Sequence, residues 1–178
     1  MKNLKLLASF ILLTSLFGCD KLDELTQFDI TYNEEVVIES SVLVDLPFNV
    51  YTPDINSNTE STFENNNTHK DLIEYIELTS MILEIKSPSD GNFDFLKSIE
   101  IFISAENQPE VKMAWKEDIA SNSGNLIELN TSNDDLQDYL KEDKFTLRVE
   151  TVTDELITSD HTIDIKSVFF VDAKILGL

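Results

Sequence analysis

The chain has 178 residues, of which 34 are Asp or Glu and 13 are Lys or Arg, so its formal charge is −21. Hydrophobic residues make up 42% of the chain, which excludes a disordered acidic tail. Gly and Pro number four each and there is one Cys, so a collagen and a disulfide scaffold are excluded as well. The excess of acids also excludes a nucleic-acid partner, because binding to phosphates depends on clustered Lys and Arg.

Residues 1–18 are predicted to be a signal peptide. Lys2 and Lys5 are their only charges, and an apolar run extends from Leu6 to Phe17. As a helix, this run of about twelve residues rises about 18 Å, which is short of the roughly 30 Å hydrocarbon core of a bilayer. We therefore expect a segment that is removed rather than a permanent transmembrane span.

The end of this segment carries the only Cys. Leu16-Phe17-Gly18-Cys19 resembles the lipobox of bacterial lipoproteins, with an aliphatic residue three places before the Cys and a small residue directly before it. The resemblance implies cleavage between Gly18 and Cys19, a diacylglyceryl thioether on Cys19 and an acylated amino group, so that the membrane is a partner through this anchor. The alternative is an ordinary secreted protein in which Cys19 is a spare thiol.

Residues 19–26 are predicted to be a lipidated tether. Asp20-Lys21-Leu22-Asp23-Glu24 is similar to the acid-rich signal that follows the Cys in some lipoproteins of Bacteroidetes-type bacteria. The similarity implies a lipid anchor in the outer membrane of the cell envelope, with the surface and periplasmic faces both left open. Removing residues 1–18 leaves 178 − 18 = 160 residues, with a charge of −21 − 2 = −23 after the loss of two lysines.

Alternation of apolar and polar residues with period two recurs along the rest of the chain, which is typical of strands with one buried face. The last of these strands loses its phase near Ser167, as it would at a β-bulge. The predicted strands contain Phe28, Ile30 and Tyr32; Val36 to Ile38; Val42, Val44 and Leu46; Met81, Leu83 and Ile85; Ile99, Ile101 and Ile103; Val111, Met113 and Trp115; Leu126, Ile127 and Leu129; Phe145, Leu147 and Val149; and residues 162–171.

The fold class predicted from this pattern is all-β. We expect an antiparallel β-sandwich, Ig-like in outline, as a single domain over residues 27–178, with a partly open barrel as the alternative. Residues 54–68 are polar and rich in Asn, so they are interpreted as a mobile loop. One or two short helices fit, over residues 71–76 and from an N-cap at Ser132 to Leu140.

One segment of the core has a family resemblance. Leu83-x-Ile85-x-x-Pro88, followed by Phe93-x-Phe95-Leu96-x-x-Ile99-x-Ile101, resembles the strand-turn-strand of late-embryogenesis-type water-stress domains, which are β-sandwiches. It covers about twenty residues, and Ser87 stands where that family has Asn before the Pro. The resemblance supports the predicted fold class and implies no function.

Catalytic patterns are weak. The sequence contains no G-x-S-x-G and no S-x-x-K, and His69 and His161 are predicted to lie on the surface, so no catalytic residue is assigned. The two His, without a free Cys, do not form a zinc-ligand set, so no metal and no cofactor is expected. Trp115 is interpreted as a core residue of its strand.

One turn has the spacing of a cation loop. Asp90, Asn92 and Asp94 occupy relative positions 1, 3 and 5, as oxygen ligands do in calcium loops. Phe95 and Ile101 stand where an EF-hand has Gly and Glu, which rules out that motif. The turn is therefore either a weak cation site or an ordinary Asp-Gly turn.

These features together favour a non-enzymatic envelope lipoprotein that serves as a binding or structural module. A second hypothesis is a hydrolase of glycan or peptidoglycan whose carboxylates converge only in the fold. A third is a subunit of an envelope uptake or secretion complex, which has a protein partner and predicts an exposed apolar patch.

Overall fold

The computed structural model describes residues 26–40 and 44–174, and the signal peptide and nearly all of the predicted tether lie outside these ranges. The strands and α-helices, in chain order, are β1 (Gln27–Ile38), β2 (Phe48–Tyr51), β3 (Ile55–Asn56), α1 (Thr59–Asn65), β4 (Ile73–Ser87), β5 (Leu96–Ala105), β6 (Gln108–Lys116), β7 (Leu126–Glu128), β8 (Asn130–Thr131), α2 (Gln137–Leu140), β9 (Lys144–Thr153) and β10 (His161–Ala173). There are also two single turns of 3-10 helix, Lys70–Leu72 and Phe93–Phe95.

The strands form two antiparallel sheets. The four-stranded sheet has the order β1-β10-β4-β7, and the six-stranded sheet has the order β2-β9-β5-β6-β8 with β3 also paired to β9. β1 pairs with β10 over all twelve of its residues without a register shift, from Gln27 opposite Asp172 to Ile38 opposite His161. The prediction of an all-β antiparallel sandwich with short helices is confirmed.

The core lies between the sheets and is built from the alternate residues of each strand. In β9 every second residue from Phe145 to Thr153 is buried, and the residues between them face outward. Tyr32 of β1 joins the two layers, since its ring lies edge-on to Phe145 of β9 at 5.1 Å between centroids and to Phe169 of β10 at 5.8 Å. Its hydroxyl donates a 2.5 Å hydrogen bond to the carbonyl oxygen of Ser57.

β4 is longer than the predicted strand because bulges hide its pattern. Register shifts against β10 leave Thr79 and Glu74 as extra residues of β4. At two places in β4, consecutive buried residues are therefore three positions apart instead of two. The predicted bulge near Ser167 of β10 was therefore placed on the wrong strand. Ser167 is itself buried, and its polarity interrupts the hydrophobic pattern of a strand whose burial alternates throughout.

The polar segment 54–68, interpreted from the sequence as a loop, contains regular structure. β3 adds to the edge of β9, and α1 follows directly. Phe63, the only aromatic residue of the segment, is fully buried and lies edge-on to Phe28 at 6.1 Å. Phe63, together with the buried Ile55 and the hydrogen bonds of Ser57, fixes this polar stretch against the sandwich.

Three predicted elements need correction. The helix over residues 71–76 is instead the 3-10 turn Lys70–Leu72 followed by β4. The second helix begins at Gln137 rather than after Ser132, because the Asp135 carboxylate accepts hydrogen bonds from the backbone N–H groups of both Gln137 and Ile76. The strand over 42–46 falls partly on residues that are not described, and residues 44–47 are a bend that precedes β2.

The segment that resembles the water-stress domains passes from one sheet to the other. Leu83 and Ile85 belong to β4 of the four-stranded sheet, whereas Ile99 and Ile101 belong to β5 of the six-stranded sheet. The turn between them is therefore a crossover between layers. Phe93 and Phe95 are both buried within it and close this end of the core.

Candidate functional site

The residues predicted for lipidation and cleavage, Gly18 and Cys19, lie outside the described residues. In the part of the chain that is described, no helix combines the length and the apolar character that a membrane crossing requires.

The predicted cation turn uses one of its three ligands for its own backbone. The side-chain oxygen of Asn92 accepts a 3.1 Å hydrogen bond from the N–H of Asp94, which caps the 3-10 turn. Asp90 is exposed, and Oδ1 of Asp94 is buried without a hydrogen-bond partner. Within the described residues, no three His, Cys, Asp or Glu come together as a group able to hold a metal ion.

The two His residues differ in their exposure to solvent. His69 is exposed, as predicted, just before a 3-10 turn. The prediction for His161 was wrong, because its residue is only 8% exposed and its ring packs on Phe95 at 4.7 Å between centroids. Its Nδ1 lies 2.9 Å from the carbonyl oxygen of Ser159. His161 therefore packs as part of the core at this end of the sandwich.

The prediction that Trp115 is a core residue was wrong. A register shift between Ile101 and Phe102 of β5 leaves Met113 as the extra residue of β6, and both Met113 and Ala114 point into the core. Trp115 then pairs with Glu100, which faces away from the core, so the indole lies on the outer surface of the six-stranded sheet. Lys112 Nζ lies 5.6 Å from the centre of its ring.

Arg148 occupies the centre of the same surface. Its Nε donates to both carboxylate oxygens of Glu110, at 3.0 and 2.9 Å, and its Nη2 donates to Oε1 of Glu110 at 2.8 Å. Its Nη1 donates to Glu150 Oε2 and to Asn49 Oδ1, both at 2.6 Å. The guanidinium carbon lies 3.9 Å from the centre of the Phe102 ring. Stacking and fork-shaped hydrogen bonds of this kind use the planar shape of Arg.

This network fixes the guanidinium. Only 13% of the Arg148 side chain is exposed, although it lies on a sheet surface. The hydrogen bonds to Glu110, followed by those to Glu150, raise the pKa of Arg148 above its usual value despite the opposing effect of partial burial. The result is a rigid, permanently charged group whose charge is compensated by two carboxylates.

These side chains form two rows across the six-stranded sheet. In one row Tyr51, Arg148, Phe102 and Lys112 are successive cross-strand neighbours on β2, β9, β5 and β6. In the other row Asn49, Glu150, Glu100, Trp115 and Asn130 are neighbours in the same way, with β8 added. These nine residues together with Glu110 are called the outer face below. Tyr51 is 61% exposed and stands at one margin of the outer face.

Two depressions in the surface of the sandwich are candidates for a binding site. One of about 460 Å³ adjoins the outer face, since Asn49 and Tyr51 line it together with Val37 and Phe48. The other, of about 480 Å³, is polar and is lined by residues that include Glu60, Glu64, Lys70 and Asp143. The polar depression does not follow from the sequence pattern, because Asp143 is more than 70 residues from its other lining residues.

A scan against protein-family models gives no match, and neither does a search of curated proteins. Similarity appears only at the level of solved structures. A structure of Desmodium yellow mottle tymovirus aligns over 85% of this chain and 91% of its own, at 10% identity and a TM-score of 0.30.

Two further solved structures are similar at about the same distance. A xylan-binding module, CBM15, aligns over 83% of this chain and 99% of its own, at 11% identity and a TM-score of 0.36. Peptide:N-glycanase F aligns over 80% of this chain and 41% of its own, at 12% identity and a TM-score of 0.39. Similarities this distant assign neither a family nor a function to the chain.

Proposed function

We propose that the protein is an envelope lipoprotein, held in the outer membrane through Cys19, whose β-sandwich is a non-catalytic binding module. The anchor is supported by Leu16-Phe17-Gly18-Cys19 at the end of an apolar leader. The binding role is supported by one observation above all. The outer face brings together the only Trp and the only Arg of the chain, Trp115 and Arg148, with the exposed ring of Tyr51.

The rigidity of the outer face favours binding over a purely structural role. Side chains that are fixed before a ligand arrives lose little conformational entropy when it binds. Arg148 is held by three polar neighbours and one aromatic ring, and Lys112 is held by Glu100 at 2.9 Å and by Trp115. Aromatic and Arg side chains are also the residue types that contribute most to binding energy at interfaces.

Two carboxylates of the outer face are engaged by the same cation. Glu110 and Glu150 both accept hydrogen bonds from Arg148, so the same cation lies between them. A glycosidase pair instead faces a sugar from two sides of a cleft. This arrangement favours the module over the carboxylate hydrolase.

The anchor is tested by Cys19→Ser in a full chain that also carries Tyr51→Ala and Trp115→Ala, so that binding through the outer face does not hold the protein on the envelope. Without a thiol to acylate, we expect the protein to move from the membrane pellet to the soluble fraction, because several acyl chains at about 0.8 kcal/mol per buried CH₂ account for its retention. Wild-type protein treated with 1 M NaCl is the control and should remain in the pellet. A triple variant that still sediments with membranes at high salt would exclude the lipid anchor.

The binding role is tested with the Cys19→Ser full chain as a soluble probe. We expect it to be retained by the washed envelope fraction of its own cells, and the double variant Tyr51→Ala with Trp115→Ala to lose at least about tenfold in affinity, equivalent to about 1.4 kcal/mol. Phe170→Ala is the matched control, because Phe170 is a half-buried aromatic that faces outward from the other sheet. Equal retention of the double variant and the control would exclude binding through the outer face.

A further inference from the structure

The charges of the outer face are paired with one another. Arg148 is bonded to Glu110 and Glu150, and Lys112 is bonded to Glu100, so two cations stand against three carboxylates. An anionic ligand would have to displace one of these carboxylates and would meet a chain with a net charge of −21, and a cationic ligand would have to displace Arg148 or Lys112 from carboxylates that they already neutralise. An uncharged ligand meets no such cost.

Polar atoms remain available at the edges of these pairs. Asn49 uses its carbonyl oxygen to accept from Arg148, which leaves its amide NH₂ as a donor. A carboxylate can accept about four hydrogen bonds, and 37% of the Glu110 side chain and 34% of the Glu150 side chain are exposed. Fixed donors and acceptors placed beside each other suit a ligand that carries many hydroxyl groups.

The aromatic rings are spaced for an elongated ligand. Tyr51 and Phe102 are two strands apart in one row, which corresponds to about 10 Å at the usual spacing of strands. Trp115 lies one strand further across and one row along, so its backbone is about 16 Å from that of Tyr51. This span exceeds a single sugar ring and suits a short chain of them.

From these observations we infer that the outer face binds an uncharged oligosaccharide. The C–H faces of the sugar rings pack on Tyr51 and Trp115, and the hydroxyl groups bond to Asn49, Glu110 and Glu150. Arg148 acts through these groups, because it holds both carboxylates and Asn49 in place. The inference rests on the proposed binding function and names the chemical class of its ligand.

Trp115 gives a direct readout, since it is the only Trp of the chain and lies on the outer face. The full-length Cys19→Ser protein is titrated with cellohexaose, xylohexaose, mannohexaose and N-acetylchitohexaose, and with oligogalacturonate as the charged counterpart. At least one neutral hexasaccharide is expected to shift the Trp115 emission to shorter wavelength, with an affinity that changes less than about twofold between 50 and 500 mM NaCl. Tyr51→Ala should weaken that binding at least about tenfold, whereas Phe170→Ala should leave it unchanged.

Several results would overturn the inference. They are a silent Trp115 emission with all five sugars, a preference for oligogalacturonate, and a neutral sugar that binds Tyr51→Ala as well as wild type. A second measurement does not depend on the choice of sugars. Retention by the envelope fraction should be lost after periodate oxidation of its glycans and survive treatment with protease.

The envelope measurement also separates this inference from the proposed function. Retention that depends on Tyr51 and Trp115 but is abolished by protease and spared by periodate would mean that the outer face binds a protein. The binding module would then stand, and the oligosaccharide would be wrong. Retention that does not depend on these two residues would overturn both.

Discussion

At the scale of single residues, one inserted side chain decides what the six-stranded sheet offers to solvent. The sequence of β6 alternates as if Val111, Met113 and Trp115 shared a face, and this pattern predicted a buried Trp. Because Met113 is the extra residue of a bulge, Trp115 turns outward. Whether a bulge forms depends on the hydrogen bonds of the neighbouring strand, which the sequence of β6 alone does not contain.

Arg148 illustrates the opposite case. The alternation of β9 places Arg148 and Glu150 on the face opposite Leu147 and Val149, and the structure agrees with this. The remaining partners of Arg148 are not visible in the sequence, since Glu110 and Asn49 are 38 and 99 residues away along the chain. The orientation of a side chain is thus a local property, whereas the network it joins depends on the whole fold.

Tyr32→Phe tests the hydrogen bond that Tyr32, which packs between the two sheets, donates to Ser57. The variant keeps the ring and removes the donor to Ser57, so we expect the free energy of unfolding at pH 7 to fall by about 1 kcal/mol. Burial raises the pKa of Tyr32 above its usual value. A raised pKa contributes stability that is fully present below about pH 10, the unfolded value, and is lost as the pH rises towards the folded value.

Urea unfolding at pH 7 and between pH 9 and 11 measures both effects. Tyr32→Phe should lose less stability than wild type over the alkaline range. Tyr51→Phe, which removes a hydroxyl from an exposed ring, is the control and should behave as wild type. An alkaline loss as steep in Tyr32→Phe as in wild type would show that other groups cause it.

At the scale of elements, the strands were predicted far better than the helices. A strand with one buried face has its buried residues at alternate positions, and β1, β9 and the part of β5 from Ile99 to Ile103 follow that rule. Residues 71–76 contain a cluster of Leu and Ile that fits a helix equally well, but their pairing with β10 makes them part of β4. Short apolar runs carry no period of their own, so the neighbouring strand determines their structure.

Gly91→Ala tests the crossover between the sheets. A Cβ at this position would lie 2.8 Å from Cγ2 of Ile85 and 2.9 Å from the carbonyl oxygen of Pro88, so the turn would have to move. We expect a loss of about 1–3 kcal/mol in the free energy of unfolding, measured with urea. Gly124→Asn is the control, because a Cβ there meets nothing within 4 Å and Asn tolerates a positive φ. A loss of the same size in both variants would contradict the steric argument.

At the scale of the whole molecule, acidity is the dominant property. Apart from those of Arg148, the ion pairs of the described residues are exposed surface contacts, such as Lys97 with Asp45 and Lys144 with Asp54, and pairs of this kind contribute little. The charge of −21 therefore acts mainly as repulsion spread over the surface, which keeps the protein soluble and destabilises its compact state.

Sodium chloride should accordingly stabilise the protein. Raising its concentration from 10 to 500 mM screens the repulsion, and we expect the Tm to rise by roughly 2–4 °C, equivalent to about 1 kcal/mol for a chain of this size. Differential scanning calorimetry measures the change. A Tm that falls with salt would mean that the ion pairs outweigh the repulsion. Calcium chloride at equal ionic strength serves as a test of the turn at Asp90, because only a cation site there gives an additional rise that Asp90→Asn removes.

The long pairing of β1 with β10 has a mechanical consequence. For a protein held at Cys19, as proposed, any pull on a bound ligand reaches the membrane through the beginning of β1 at Gln27. A force along β1 loads its ladder with β10 in shear, so the hydrogen bonds along all twelve residues resist together instead of opening one after another. The strand nearest the anchor is thus paired in a way that suits it to carry tension.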